Sequence, residues 1–411
     1  MVEHLSKTGL VLLADWVVGP AGTVLSKAGV GSIGGVIERI FTSHGEGVRW
    51  AREVGAGDPM HLNGVLAPGW VNAHCHLELT GLAGRISCEG GFPQWIGRLM
   101  KAKSEFALED YRQGVITGAQ ALLAGGTTSV GDIDSQGVMG RVESPLRMRV
   151  YRESLDAFHP QRTPGALEWV RKPMECSGLR GEGLAPHASF TVSPALMRGM
   201  ARLARGRAAP VTVHWSETQA EVDWLLRGEG RLADVLGPSP RCSGLHILEE
   251  AGLLNGELSL AHGNWPAPGE EESIAQADAT LVHCPGSHQF FGREPFPLRR
   301  YLDAGVRVAL GTDSQASNQE LDMGREVALL RKNFPWVDPR MAFCMGTEHG
   351  ARAIGWGTSV GRIQEGFHCD LMHVDASVQT AADAMELLTG ENPPVAQVWV
   401  DGRSVLTQER A

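Results

Sequence analysis

No stretch of this sequence approaches the roughly 20 uninterrupted apolar residues that a membrane-spanning helix needs, so no such span is expected. The start of the chain also lacks the basic residues and apolar core of a secretory signal. Glu3 and His4 precede Lys7, and Asp15 interrupts the apolar run 9–18. Paired cysteines are missing as well. The seven cysteines lie scattered between Cys75 and Cys369 with no CxxC spacing, an odd set that does not look like a disulfide framework, so reduced thiols and a cytoplasmic protein are expected. Positive charge is in short supply. Lys and Arg number 37 against 47 Asp and Glu, a net of −10, which argues against binding nucleic acid or an anionic membrane. There is no internal repeat, low-complexity tract or long linker.

What remains is an ordinary globular balance, 43% hydrophobic and 20% charged, which excludes a disordered or fibrous chain. At 411 residues the length suits one large enzyme domain with an appendage. Residues 1 to about 64 read as short strands around glycine turns. From Val65 onward, apolar and often β-branched runs alternate with amphipathic segments carrying helix caps. The expected strands are Ala67–His74, Thr127–Ile133, Met148–Leu155, Gly183–Thr191, Pro210–Glu217, Leu258–Asn264, Ala279–Pro285 and Val306–Asp313. Helical sequence lies between most of them. One example is Ser193–Arg207, with Ser193 as N-cap and Pro194 at the first helical position.

Eight such units predict an α/β chain built as a (β/α)8 TIM barrel over 65–355. The connection Asp134–Leu146 is glycine-rich, and its helix is the weakest of the set. After a last helix near Met341–Ile354 the strand period returns, and Asp401-Gly402 is a hairpin-type turn. The two chain ends, 1–64 and 356–411, are therefore expected to form a small β-sandwich domain together.

Barrel enzymes place their sites at the C-terminal ends of the strands. His74-Cys75-His76 closes the first strand, and side chains two apart on a strand point the same way, so both imidazoles can meet one ion. His214 ends the fifth strand and Asp313 ends the eighth. A buried aspartate closing an apolar strand is costly without a partner. Three imidazoles and a carboxylate form an N3O set suited to one divalent metal ion, Zn2+ first and Fe2+ second, with a position left for water. Cys75, between two candidate ligands, is expected to point away and pack.

The pattern His74-x-His76, His214, His262 and Gly311-Thr312-Asp313 resembles the amidohydrolase superfamily over nearly the whole chain. Within it, His214-Trp215-Ser216-Glu217 looks like the branch of cytosine deaminase, S-adenosylhomocysteine deaminase and triazine hydrolases. The resemblance implies His74, His76, His214 and Asp313 as metal ligands, Glu217 as proton shuttle, and His262 as the residue polarising the attacking water. It also implies that His187 lines the pocket. Binuclear relatives carry a carboxylated lysine on the fourth strand. None of the six lysines here lies in a barrel strand, and that strand offers Pro186-His187-Ala188, so a single metal is expected.

The leading reading is hydrolytic deamination of an amino-substituted N-heterocycle of purine or purine-nucleoside type. Such a reaction needs a proton on the ring nitrogen as hydroxide adds next to it, and Glu217 stands one turn past a ligand. Asp313 and His262 accept or orient the proton of the attacking water. The run His74-x-His76-Leu77-Glu78, Trp95 and Cys284-Pro285-x-Ser287 looks most like aminodeoxyfutalosine deaminases. Trp95 leads a set of aromatic residues after the strand ends that could stack on a planar substrate. One of His283 and His288 is expected to face substrate, which one being open. The same hydroxide could instead cleave a C–Cl, N-alkyl or amide bond, and a metal-free, non-catalytic scaffold is the third reading. A small molecule is the expected partner, with a homodimer left open.

Overall fold

The computed structural model describes residues 9–139, 142–174 and 178–407. The residues on which the signal-peptide reading rests, Glu3, His4 and Lys7, lie outside these ranges, as does Cys176. The chain opens with four strands, β1 (Gly9–Val18), β2 (Val24–Ile33), β3 (Val36–Phe41) and β4 (Met60–Pro68). Eight barrel strands follow: β5 (Trp70–Cys75), β6 (Thr127–Asp134), β7 (Arg147–Ser154), β8 (Arg180–Pro186), β9 (Val211–Trp215), β10 (Leu258–His262), β11 (Thr280–His283) and β12 (Arg307–Leu310). Three more, β13 (Leu371–Val374), β14 (Val395–Val400) and β15 (Arg403–Thr407), close the chain.

Strands of both chain ends make the composite β-domain, and hydrogen bonding joins all seven into one sheet in the order β15-β14-β13-β4-β1-β2-β3. Alternation decides what each face covers. Leu12, Ala14, Val30, Leu66 and Trp399 form one apolar cluster, while Val11, Leu13 and Phe41 pack with Ala51 of the helix His44–Val54. The hairpin β14–β15 turns at Asp401 and Gly402, both at positive φ, the backbone that a two-residue hairpin demands. The expected division at residue 65 falls within β4, which pairs with β1 and β13 of this sheet.

The remaining strands form the eight-stranded parallel sheet β12-β11-β10-β9-β8-β7-β6-β5. A bridge between Cys75 and Asp313 brings its two edges together. All eight expected strands are present. Val71, Ala73, Ile133, Tyr151, Ala185, Val282 and Ala309, from six of them, meet one another and Ile354 in a single cluster. A larger apolar cluster joins strands to helices such as Pro194–Arg207. That helix begins as expected, with the Ser193 hydroxyl accepting from the Leu196 N–H.

Two helical expectations need correction. No α-helix occupies the β6–β7 connection among the described residues. Instead the Asp134 carboxylate accepts from the N–H groups of Gly137 and Val138, a local turn that competes with helix. The last helix is also broken into Pro339–Met345 and Glu348–Ala353. Gly346 sits against the Trp70 ring, and the Thr347 hydroxyl turns back to the Phe343 carbonyl at 2.8 Å.

Candidate metal centre and active site

Because the barrel strands run parallel, their C-terminal ends open on one mouth, and the expected site residues collect there. The β5–β6 register slips between Asn72 and Cys75, as at a β-bulge, where the strand gives way to His74 and His76. Across the closure, a Cβ on Gly311 would stand 2.7 Å from the His74 carbonyl oxygen. Glycine there lets the Asp313 backbone N–H reach that carbonyl at 3.0 Å. Three non-glycine residues at the mouth, Ser216, His262 and Asp313, sit at positive φ. Such backbone costs on the order of 1–3 kcal/mol each and persists only where surrounding bonds hold it.

The ring nitrogens of His74, His76 and His214 lie within 4.8 Å of one another. His214 Nδ1 is 2.8 Å from the His187 carbonyl oxygen. A carbonyl only accepts, so Nδ1 carries the proton and Nε2 keeps its lone pair. That Nε2 stands 3.3 Å from His76 Nε2. Two nitrogens bound tetrahedrally at roughly 2.0–2.1 Å from zinc are about 3.3 Å apart, so this pair is already at ligand spacing. Asp313 Oδ1 is 3.8 Å from His76 Nε2 and 4.0 Å from His74 Nε2. Its other oxygen accepts from the hydroxyls of Ser287 and Ser317 at 2.8 and 2.9 Å.

His74 supplies the test of fit. It is 1% exposed, and neither ring nitrogen has a hydrogen-bond partner among the described residues. Buried polar groups are paired in nearly all proteins. Burial pushes the His74 pKa down to about 3 and holds His76 and His262 well below the ordinary value. These rings are neutral near pH 7, the form in which imidazole ligates a metal. Burial pushes Asp313 up while His262, His74 and the Ser287 hydrogen bond pull it down, and the net is a lowered pKa. Neutral nitrogens and an ionised carboxylate facing one point fit a divalent ion.

Beside this cluster stands Glu217, its Oε2 3.8 Å from His262 Nε2. Residues 65–405 match the family model described as Amidohydrolase family. The chain belongs to the amidohydrolase family. It is 31% identical over 353 residues to a 5-methylthioadenosine/S-adenosylhomocysteine deaminase of Pyrococcus furiosus, covering 82% of this chain and 79% of that one. It is also 31% identical over 335 residues to an aminodeoxyfutalosine deaminase of Deinococcus radiodurans, covering 75% and 78%. Among solved structures, an adenosine deaminase of Xanthomonas campestris with bound zinc superposes with a TM-score of 0.82 at 26% identity, over 98% of this chain and 93% of that one.

In this amidohydrolase, Glu217 is held by residues that sequence reasoning did not single out. Arg293 donates to Glu217 Oε1 at 3.0 Å, and its guanidinium lies over the Phe291 ring. Nothing in the sequence links two residues 76 positions apart. Glu221 accepts from the backbone N–H groups of Ser216 and Glu217 at 3.0 and 2.9 Å, and burial raises its carboxyl to about 8. The spacing Thr218-x-x-Glu221 is a capping-box signature that could have drawn attention to it. The Thr218 side chain does cap the helix Gln219–Arg227, but the Glu221 carboxylate reaches further back.

The remaining expected residues divide. His187 borders the cluster, with its ring centroid 4.8 Å from that of His214. His283 stacks on Phe296 at 3.8 Å, and its Nδ1 is buried with no partner among the described residues. His288 instead has its two ring nitrogens beside the Asn264 side-chain oxygen at 3.1 Å and the Glu294 carbonyl at 2.8 Å, and its single N–H donates to one of them. Trp95 is 6% exposed, donates to the Ala316 carbonyl and packs with Phe92 and Phe291. Trp215 is buried in the core. Cys75 packs there too, as expected.

Proposed function

We propose that this amidohydrolase is a hydrolytic deaminase that holds one divalent ion and releases ammonia from an amino-substituted purine nucleoside. His74, His76, His214 and Asp313 would hold the ion, and zinc is our first choice, since three nitrogens and one oxygen suit it. The observation that carries the reading is the Glu217 carboxyl, fixed beside the histidine cluster by Arg293 and by the backbone of a strained turn. The 31% identity to deaminases of adenine nucleosides and of aminodeoxyfutalosine supports a nucleoside substrate. Aminodeoxyfutalosine is the narrower candidate. With no disulfide among the described cysteines, we place the protein in the cytoplasm.

When bound, the ion supplies acidification of a water molecule, from a pKa near 16 toward roughly 7. The chain does the rest. Asp313, its Oδ2 pinned by two serines, and His262 take up and orient the proton of the attacking water. The water oxygen bonds to the ring carbon bearing the amine, and Glu217 delivers a proton to the adjacent ring nitrogen. The carbon–nitrogen bond then breaks, the amine leaves as ammonia with the proton that the water first gave up, and the proton still on the added oxygen returns to Glu217 as the carbonyl forms. Arg293 occupies Glu217 Oε1, which leaves Oε2 on the His262 side for this traffic.

The test is ammonia release by the purified protein. The panel holds adenosine, 5′-methylthioadenosine, S-adenosylhomocysteine, aminodeoxyfutalosine, an aminopyrimidine, a pterin and triazines. Turnover of an adenine nucleoside supports the proposal. Chloride or alkylamine release from a triazine, with every adenine nucleoside inert, overturns it in favour of another hydrolysis.

A further inference from the structure

The mouth holds a second group of candidate ligand atoms. Glu153, His187 and His214 bring theirs within 4.8 Å of one another. A second ion there would need His214, but that ring is committed. Its Nδ1–H donates to the His187 carbonyl, and its Nε2 faces His76. What is left is a pair, Glu153 near the end of β7 and His187 just past β8.

Both members are acceptors. The Thr191 hydroxyl donates to the Ala188 carbonyl at 3.2 Å and accepts from His187 Nδ1 at 2.7 Å. That fixes the tautomer and leaves His187 Nε2 with a lone pair. Glu153 Oε1 is buried with no hydrogen-bond partner among the described residues. Burial raises the Glu153 carboxyl, while the nearby Lys103 ammonium acts against the rise. Lys103 donates instead to the Ser135 hydroxyl, which in turn donates to Glu78. This wall therefore carries two carboxyls against one ammonium. Among the described residues no group donates to Glu153 Oε1.

We infer that Glu153 and His187 form a substrate subsite that accepts hydrogen bonds from a hydroxyl of the substrate's sugar, with Glu153 as a specificity-determining residue. The inference rests on the nucleoside reading above. Glu217, His262 and Arg293 gather on the β9–β11 side of the mouth, where the ring nitrogen must lie to be protonated. The β6–β8 side is then left for the substituent of that ring. A hydroxyl there finds two acceptors that the protein itself leaves unanswered.

The experiment measures equilibrium binding of purine riboside, which has no amine to lose, and of its 2′-, 3′- and 5′-deoxy analogues. Wild type, Glu153→Leu and Glu153→Gln are compared at equal metal content. Glu153→Leu should weaken purine riboside by about tenfold to a hundredfold. At least one deoxy analogue should bind wild type as weakly as it binds that variant. Glu153→Gln, which keeps one acceptor oxygen, should fall between. With an adenine nucleoside as substrate, the loss should appear in KM more than in kcat. Equal binding of purine riboside by wild type and both variants, or no binding to wild type, overturns the subsite. Hydroxyl-dependent binding without ammonia release from any nucleoside leaves the subsite standing and overturns the deaminase reading instead.

Discussion

Two buried ionic clusters sit at opposite ends of the barrel, and they are built in opposite ways. At the N-terminal end, Arg147 opens β7 and is clamped by Asp370 through Nε at 2.6 Å and Nη2 at 3.1 Å. Its Nη2 also reaches Asp401, which His368 holds at 2.8 Å, and the Asp401 N–H returns to Asp370. These bonds tie the barrel to the seven-stranded sheet. At the mouth, both His74 nitrogens, His283 Nδ1, one Arg293 nitrogen and Glu153 Oε1 are buried and unanswered among the described residues. Three strained residues lie there as well. The Arg147 cluster completes itself and serves the fold, while the mouth cluster is left incomplete where a ligand would enter.

The comparison can be broken in four ways. The largest effect belongs to the candidate ligands. His74→Ala or Asp313→Ala should abolish turnover and bound metal while circular dichroism still reports a folded barrel. Elemental analysis of wild type should return about one zinc or iron per chain. Two ions per chain, or near-normal activity in either variant, would sink the ligand assignment.

Glu217→Gln keeps the shape and removes the proton. It should lower kcat by about 10²–10⁴-fold with metal content unchanged. A loss under about tenfold at full metal occupancy would move proton delivery to another residue, such as His262. At the other end, Arg147→Met leaves Asp370 buried without its cation. Breaking such a pair costs about 3–5 kcal/mol, so the denaturant midpoint should fall sharply while kcat and KM of the folded fraction stay put. A kinetic change there would mean that the two ends are coupled.

The smallest effect sharpens the contrast by pH. In metal-stripped protein His74, His76, His187 and His262 at the mouth have folded pKa values below the unfolded one of about 6.5. Their stability contribution is therefore intact above pH 6.5 and is lost as pH falls toward about 3 for His74. The slope is at most about 1.4 kcal/mol per pH unit for each such histidine. Hydrogen bonding from His368 lowers Asp401 at the junction, so its contribution holds above the usual carboxylate range and is lost only below about pH 4. Thermal melts of stripped protein should show the mouth's slope between pH 6.5 and 4, and metal should flatten it. An identical slope in holo and stripped protein would remove the histidines as its source.

Much of this was legible because barrel strands announce themselves. Apolar runs of strand length, separated by capped helices such as Ser193–Arg207, located all eight barrel strands to within a few residues. The HxH spacing, His214 and Asp313 stood out because polar residues ending apolar strands are costly. The β6–β7 connection was less legible, since Asp134 and Gly137 offer the backbone a local turn that pattern reading cannot weigh against a weak helix. His283 and His288 could not be told apart by position. Their difference lies in Asn264, which comes to His288 from the end of β10, and in the Glu294 carbonyl, which folds back on it from the same loop.

The sequence by itself determined the periodicities, the caps and which strand ends carry polar side chains, because these depend on residues near one another in the chain. Tertiary structure alone decided the partners. It brought Asp313 to His74 across the barrel closure, put Arg293 on Glu217 and turned the Glu221 carboxylate back onto the strained turn. It also left Glu153 Oε1 without a donor among the described residues. Each of these depends on distance and burial after folding, when hydrogen-bond geometry and the loss of water fix which groups are satisfied and which still need a ligand.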